Sequence, residues 1–255
     1  MKKIIYLAAG VALLSLGSCS KDKNDKPDPG NGGERKLVKM TKTENGQETI
    51  YNLSYTAGNK LQSVISTDNN ESTVFTYDNE GKLIKVEESD SDFKNIYTYT
   101  YQGGLPSTGT FKSWQKTAGE PDELIEDDQL EYTLTGNQVT KIKTIFGLNE
   151  GASADFVLSY QNGNLAKVAV DGIYHYEALF TYGTNKPVMP PVSTFVLDHA
   201  GFSLQFVSKN EIKTASWDFD GTEMDYEITN TYTYDANGYV LTSSDGDATI
   251  KYDYQ

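Results

Sequence analysis

The chain has 255 residues, of which 36 are Asp or Glu and 22 are Lys or Arg, giving a formal charge of −14 with 37% hydrophobic residues. That balance excludes a multi-span helical membrane protein, and its sign repels nucleic-acid phosphates, for which no window gathers the cations that counterion release requires. Two His and one Cys leave little for metal or nucleophile chemistry, while 18 Tyr and 22 Gly against 7 Pro favour strands joined by tight turns.

Residues 1–18 read as a lipoprotein signal peptide: Lys2 and Lys3 are followed by an apolar run from Ile4 to Leu16. The run is shorter than the roughly 20 residues a spanning helix needs. It ends in Leu16-Gly17-Ser18-Cys19, which resembles a bacterial lipoprotein lipobox and implies lipidation of Cys19. The alternative is ordinary secretion with cleavage near Ala8 or Ala12. Cys19 is the only cysteine, so no intramolecular disulfide is available and the fold rests on its core. Without Lys2 and Lys3 the formal charge moves to −16. Residues 19–34, with Pro27, Pro29 and Gly30-Asn31-Gly32-Gly33, have almost nothing apolar to bury and read as a lipid-anchored flexible tether.

Residues 35–255 read as a single β-hairpin-repeat domain. An aromatic or apolar anchor, a short turn with Gly or Asn, and a second apolar residue recur at Tyr55/Leu61, Tyr77/Leu83, Tyr101/Leu105, Leu134/Val139, Tyr160/Leu165, Tyr182/Val188, Phe206/Ile212 and Tyr234/Val240. Each unit predicts one hairpin, because Gly and Asn accept the positive φ of a tight turn and the flanks alternate with period two. Over Ile96 to Tyr101 the three Tyr share one face and Thr98 and Thr100 the other; Tyr226 to Tyr234 alternates in the same way. An acidic run, Glu120 to Asp128, reads as a solvated loop. Only Pro190 to Gly201 leaves room for a short helix.

Eight hairpins predict an all-β, antiparallel meander of about sixteen strands, closed or curled into a barrel-like body, since open twisted sheets rarely exceed roughly ten strands. Pairing the strand near Leu37 with Ala248 to Tyr254 would close it and remove the edges. A ring of this size is wide enough to leave an aqueous interior. Its strands, such as Lys82-Leu-Ile-Lys-Val-Glu-Glu88, do not supply the outward apolar band of a membrane barrel.

Phe75-Thr-Tyr-Asp-Asn-Glu-Gly-Lys-Leu83 and Tyr232-Thr-Tyr-Asp-Ala-Asn-Gly-Tyr-Val240 resemble the tyrosine-aspartate (YD) repeats of Rhs-type shell proteins. With the lipobox, tether and hairpin array, residues from about Glu34 to Gln255 resemble uncharacterised Bacteroidetes lipoproteins described as having a porin-like fold. The resemblance implies an all-β fold and a cell-envelope location, and no particular reaction.

Chemistry is sparse. Asp218, Asp220 and Asp225 alternate around Gly221 in a pattern able to wrap a calcium ion, but the EF-hand order is absent and an Asp-Gly turn with solvated acids accounts for them. No metal is expected, and these three are the residues to inspect. His175 lies between Tyr174 and Tyr176, and His199 follows Asp198; no nucleophile elbow, metalloprotease motif or phosphate loop accompanies either. No catalytic residue, enzyme activity or cofactor is expected. Trp114 and Trp217 are the candidate ligand-binding residues, because aromatics offer rigid, amphipathic contact area, against an ordinary role in cross-strand packing. The expected function is a non-enzymatic envelope module binding glycan or protein, held to the membrane through Cys19, without nucleic acid. A carrier or chaperone for an apolar ligand in the barrel interior is the alternative, and a carboxylate-based hydrolase the third. The expected location is the outer membrane, with the acidic stretch after Cys19 leaning toward the cell surface.

Overall fold

A computed structural model describes residues 35–149, 151–172, 175–199 and 203–255. The lipidation candidate Cys19, the signal peptide and the tether lie outside them. Seventeen antiparallel strands form one nearly closed barrel in sequence order. They are β1 (Leu37–Glu44), β2 (Gln47–Tyr55), β3 (Leu61–Ser66), β4 (Ser72–Tyr77), β5 (Leu83–Ser89), β6 (Phe93–Gln102), β7 (Leu105–Gln115), β8 (Glu123–Thr135) and β9 (Gln138–Phe146). The second half comprises β10 (Ser153–Gln161), β11 (Asn164–Gly172), β12 (Tyr176–Tyr182), β13 (Ile212–Phe219), β14 (Tyr226–Thr229), β15 (Thr231–Tyr234), β16 (Val240–Ser244) and β17 (Ala248–Tyr254). Only Asn230 separates β14 from β15, so they are two halves of one extended stretch, the first paired to β13 and the second to β16. β17 pairs with β1, and Lys36 and Gln255 exchange two backbone hydrogen bonds of 2.7 and 2.8 Å where the ends meet.

The repeat has a physical meaning beyond its turns. Just before each anchor the pairing slips by one residue, so that Tyr55 faces Leu61, Tyr77 faces Leu83, Leu134 faces Val139, Tyr160 faces Leu165 and Tyr234 faces Val240. Such bulges sharpen strand twist and help a sheet curl. Leu37 and Tyr254 form the same bulged pair, one unit of the repeat divided between the two ends of the domain. Three expected units differ. Tyr101 faces Pro106 because the bulge falls at Ser107, and the Tyr182/Val188 and Phe206/Ile212 units are one, with Tyr182 facing Ile212 across a long insertion.

Consecutive units are stapled by the tyrosines. Tyr77, Tyr101, Tyr160 and Tyr182 donate their hydroxyls at 2.6–2.8 Å to the carbonyls of Leu61, Leu83, Val139 and Leu165, each the second anchor of the preceding unit. Tyr55 does so to Leu37 and Tyr232 to Ile212, both at 2.6 Å. At three of these six acceptors the preceding residue is a lysine that lies over the same ring: Lys36 over Tyr55, Lys60 over Tyr77 and Lys82 over Tyr101, at 5.1–5.7 Å. A Lys-Leu step therefore grips the next unit's tyrosine through both its hydroxyl and its π face. At the opposite end Asn45-Gly46 joins β1 to β2 with φ of 51° and 76°, the positive pair that a two-residue hairpin requires.

Apolar side chains point inward and polar ones outward. Tyr97 and Tyr99 are buried, while Thr98 bonds Thr110 at 2.7 Å and Thr100 bonds Thr108 at 2.6 Å on the outer wall. The same wall carries Lys112–Asp127, Lys141–Asp155 and Lys167–Glu177 ion pairs. This is the reverse of an integral membrane barrel, whose outward face is apolar.

The interior is not an open aqueous channel. The described residues of the connection between β12 and β13, 183–199 and 203–211, enter it and pack its interior, and include the helix α1 (Leu204–Val207), just beyond the stretch where sequence left room for one. Met189, Val192, Leu197 and Phe206 pack against Phe75, Val86 and Tyr97, whereas Val196 and Leu204 pack against Ile142 and Phe156. The plug thus joins the two sides of the barrel. Its ends are fixed by Glu211, 1% exposed, whose carboxylate accepts from Tyr234 Oη and the Asn185 backbone at 2.8 Å each.

Candidate functional site

The strand directions give the barrel two different ends. Residue 35, the anchor turns and both ends of the plug lie at one, where Arg35, Lys36, Lys60, Lys82, Lys186 and Lys209 outnumber Asp78, Glu80 and Asp235, with Arg35 paired to Asp235 and Lys82 to Glu80. The other end holds the turns rich in Asp and Glu, including Asp90, Asp92, Glu120, Asp122, Asp218, Asp220, Glu223, Asp225, Asp245 and Asp247. Candidate chemistry lies at that acidic end.

Trp217 projects from β13 to the inner face, since its partners Ala178 and Tyr226 alternate with the outer Thr181–Thr214 pair. Its ring stacks on Tyr226 at 4.5 Å with planes 14° apart and meets Phe180 edge-on at 6.0 Å. Phe219 extends the group toward Tyr176 at 5.1 Å. Tyr226 and Met224 are exposed, so the stack ends in an open aromatic face at the barrel mouth. Trp114 is not part of it. It lies on the outer wall of β7, opposite Lys94, whose ammonium is 5.7 Å from its ring.

Asp218, Asp220 and Asp225 are exposed around the β13–β14 turn. Asp225 accepts from the Phe219 backbone N–H at 2.9 Å, which makes it part of the turn. His175 is exposed, with Nδ1 3.2 Å from Asp171.

A second group lies inside the barrel. Glu126 and Asp128 occupy alternate positions of β8, in phase with Leu130 and Tyr132, and therefore face inward. The acidic run expected as a solvated loop is in this part a strand. On the plug, the sequence-adjacent Asp198 binds the Ser203 backbone N–H at 2.7 Å, while His199 reaches across to Asp128, with Nε2 3.7 Å from Oδ2. Phe111 and Phe156 hold the imidazole edge-on at 5.0 and 5.7 Å. Among the described residues, Glu126, Asp128 and His199 form the group of His, Cys, Asp and Glu whose ligand atoms all lie within 4.8 Å of one another. Asp128 is 2% exposed, and its Oδ2, like His199 Nδ1 and Thr144 Oγ1, is buried without a hydrogen bond.

The electrostatics follow from this burial. Desolvation pushes Glu126 up to about 7, with Asp128 adding repulsion, and raises Asp128 to about 6. Glu88, on the inner face of β5, is pushed to about 8 by desolvation and then by the charge of Asp198. Burial lowers His199 to about 4. In the sequence Glu126 and Asp128 belong to the acidic run expected as a solvated loop and His199 stands next to Asp198, whereas the structure sets His199 against Asp128. The usable signal was the phase of Glu126 and Asp128 with Leu130, Tyr132 and Leu134, which marks them as inward-facing.

These features define a plugged antiparallel β-barrel with a polar wall, a basic end and an acidic end. No protein-family model matches the chain, and no curated protein matches it. Among solved structures it is similar to a porin-like protein from Bacteroides uniformis ATCC 8492, at 13% identity over 86% of this chain and 98% of that one, with a TM-score of 0.48. It is also similar to a porin-like protein from Bacteroides vulgatus ATCC 8482, at 11% identity over 87% and 99% of the two chains, with a TM-score of 0.44.

Proposed function

We propose that the protein is a non-enzymatic, lipid-anchored module of the outer membrane that binds glycans at the acidic end of its barrel, on the cell surface. The observation that carries the reading is the Trp217–Tyr226 stack, which ends in an exposed ring at the mouth. Such a ring offers a flat apolar face to the C–H side of a sugar, and the exposed carboxylates of Asp218 and Asp220 around the same turn supply hydrogen-bonding oxygens. The tether from Cys19 would join the opposite end, at residue 35, leaving the mouth directed away from the membrane. The lysines gathered at the tethered end are suited to lie near anionic headgroups. Neither an apolar-ligand carrier nor a hydrolase is favoured: plug side chains occupy the interior, and the inward acids are not aligned around an open cleft.

The test is binding of the full chain to an array of envelope and host glycans, beside Trp217→Ala and Tyr226→Ala. Saturable binding weakened at least tenfold in both folded variants is the expected result. Binding that is unaffected by either substitution, or no binding to any glycan, overturns the reading.

A further inference from the structure

We propose that Glu126, Asp128 and His199 bind a single divalent transition-metal cation, zinc(II) or a close analogue, inside the barrel between strand β8 and the plug. The inference does not depend on the glycan reading, since the two sites use different residues.

The donors converge from two parts of the fold. Two carboxylates arrive on alternate residues of one strand, and the imidazole comes from the plug, with all three ligand atoms within 4.8 Å of one another. His199 Nε2 and Asp128 Oδ2 are 3.7 Å apart. That is too long for a hydrogen bond but close to the roughly 3.3–3.5 Å between neighbouring ligands on a tetrahedral zinc with bonds of about 2.0–2.2 Å. A carboxylate buried with one oxygen lacking any donor is expensive to maintain. Asp128 is in that position, with its side chain 3% exposed and, among the described residues, no ion-pair partner except this histidine. Lys112 on β7 and Lys141 on β9 pair with Asp127 and Asp155 on the outer wall, and Lys143, in phase with Lys141 and opposite Glu131, lies on that same wall.

The surroundings favour a cation over a proton-sharing pair. Asp198, beside His199 on the plug, and Glu126 on β8 both act on the buried Tyr97, so carboxylates of the plug and of the strand are neighbours here. Phe111 and Phe156 meet the imidazole edge-on at 5.0 and 5.7 Å, which restricts how the ring can turn. Thr144, 0% exposed on β9 with its hydroxyl unbonded, is placed two residues from the register partner of Asp128. The donor set decides the kind of metal. Calcium takes six to eight oxygens, whereas two carboxylates and an imidazole suit zinc, with a fourth position for water. The bound ion would cross-link β8 to the plug.

The test uses the full chain, stripped with chelator and dialysed against zinc(II), with metal content, thermal midpoint and the visible spectrum of the cobalt(II) form as readouts. One zinc per chain is expected, with a raised midpoint and the intense visible bands of four-coordinate cobalt. Asp128→Asn and His199→Gln should each weaken zinc binding at least tenfold and lose the cobalt bands, while an Asp218→Asn/Asp220→Asn/Asp225→Asn variant binds like the parent. Absence of stoichiometric zinc binding overturns the proposal. So does a six-coordinate cobalt spectrum in the parent, which needs no variant to fold, or zinc binding lost only in the triple variant.

Discussion

The tyrosine staples predict a specific loss of stability when their hydroxyls are removed. Tyr77→Phe, Tyr160→Phe and Tyr232→Phe each delete one hydroxyl that donates to a backbone carbonyl at 2.6–2.8 Å while keeping the ring. A net hydrogen bond of this kind contributes about 1 kcal/mol, and more where the abandoned carbonyl is shielded from water. Val139, whose carbonyl Tyr160 holds, is 0% exposed, so Tyr160→Phe should be the most costly, at about 2 kcal/mol. The three sites lie on separate hairpins, β4, β10 and β15, and share no partner. Their effects should add, giving about 3–4 kcal/mol for the triple variant out of a total of about 5–15 kcal/mol. Urea unfolding is the assay. The midpoint should fall by roughly 1 M or more with an unchanged slope, since the surface exposed on unfolding is the same. Tyr226→Phe, at the exposed mouth, serves as the control and should change stability by less than about 0.5 kcal/mol. A triple variant within that same margin of the parent would refute the reasoning, because water would then be satisfying those carbonyls equally well.

Three other outcomes follow from the packing and the charges. Glu88 is held near 8 in the fold against an ordinary value of 4.5, so the unfolded chain releases this proton first and stability falls as pH rises from about 4.5 to about 8. In metal-free buffer, Glu88→Gln should remove part of that slope, with a gain at pH 8.5 of no more than on the order of 4 kcal/mol by thermal or urea unfolding, and no gain at pH 4; equal gains at both values would contradict it. Gly109→Ala would place a Cβ 2.8 Å from both the Thr98 carbonyl and Tyr132 Oη, so an overpacking loss of about 1–3 kcal/mol is expected by the same assay. Glu211→Ala strips the acceptor from Tyr234 and the Asn185 backbone, and should raise hydrogen exchange across described residues of the plug, 183–199 and 203–211, before the barrel strands exchange.

The alternation of Tyr with Thr, the Asn-Gly turns and the spacing of the anchors are local properties, so the sequence alone determined an antiparallel, hairpin-built sheet; that its two ends pair, where the sequence allowed a closed or a curled body, is a property of the tertiary structure. Seven of the eight anchors followed from the same pattern with their first residues correct, five of them with both residues, because the bulge beside the anchor repeats wherever its neighbours repeat. The plug was not legible. Tyr182 and Ile212 are separated by an insertion that carries its own aromatic and apolar residues, and Phe206-to-Ile212 has the look of a further unit; only the sheet's register shows that Ile212 completes the unit Tyr182 began. The same holds for the interior acids. Alternation places Glu126 and Asp128 on the face of Leu130, but whether that face meets water or apolar side chains depends on what fills the barrel. His199 stands beside Asp198 in sequence and across from Asp128 in space, because the plug turns back through the lumen and brings it against a strand some seventy residues earlier. Short-range physics sets strand, turn and face; the meeting of donors from distant segments is decided by closure of the sheet around the plug.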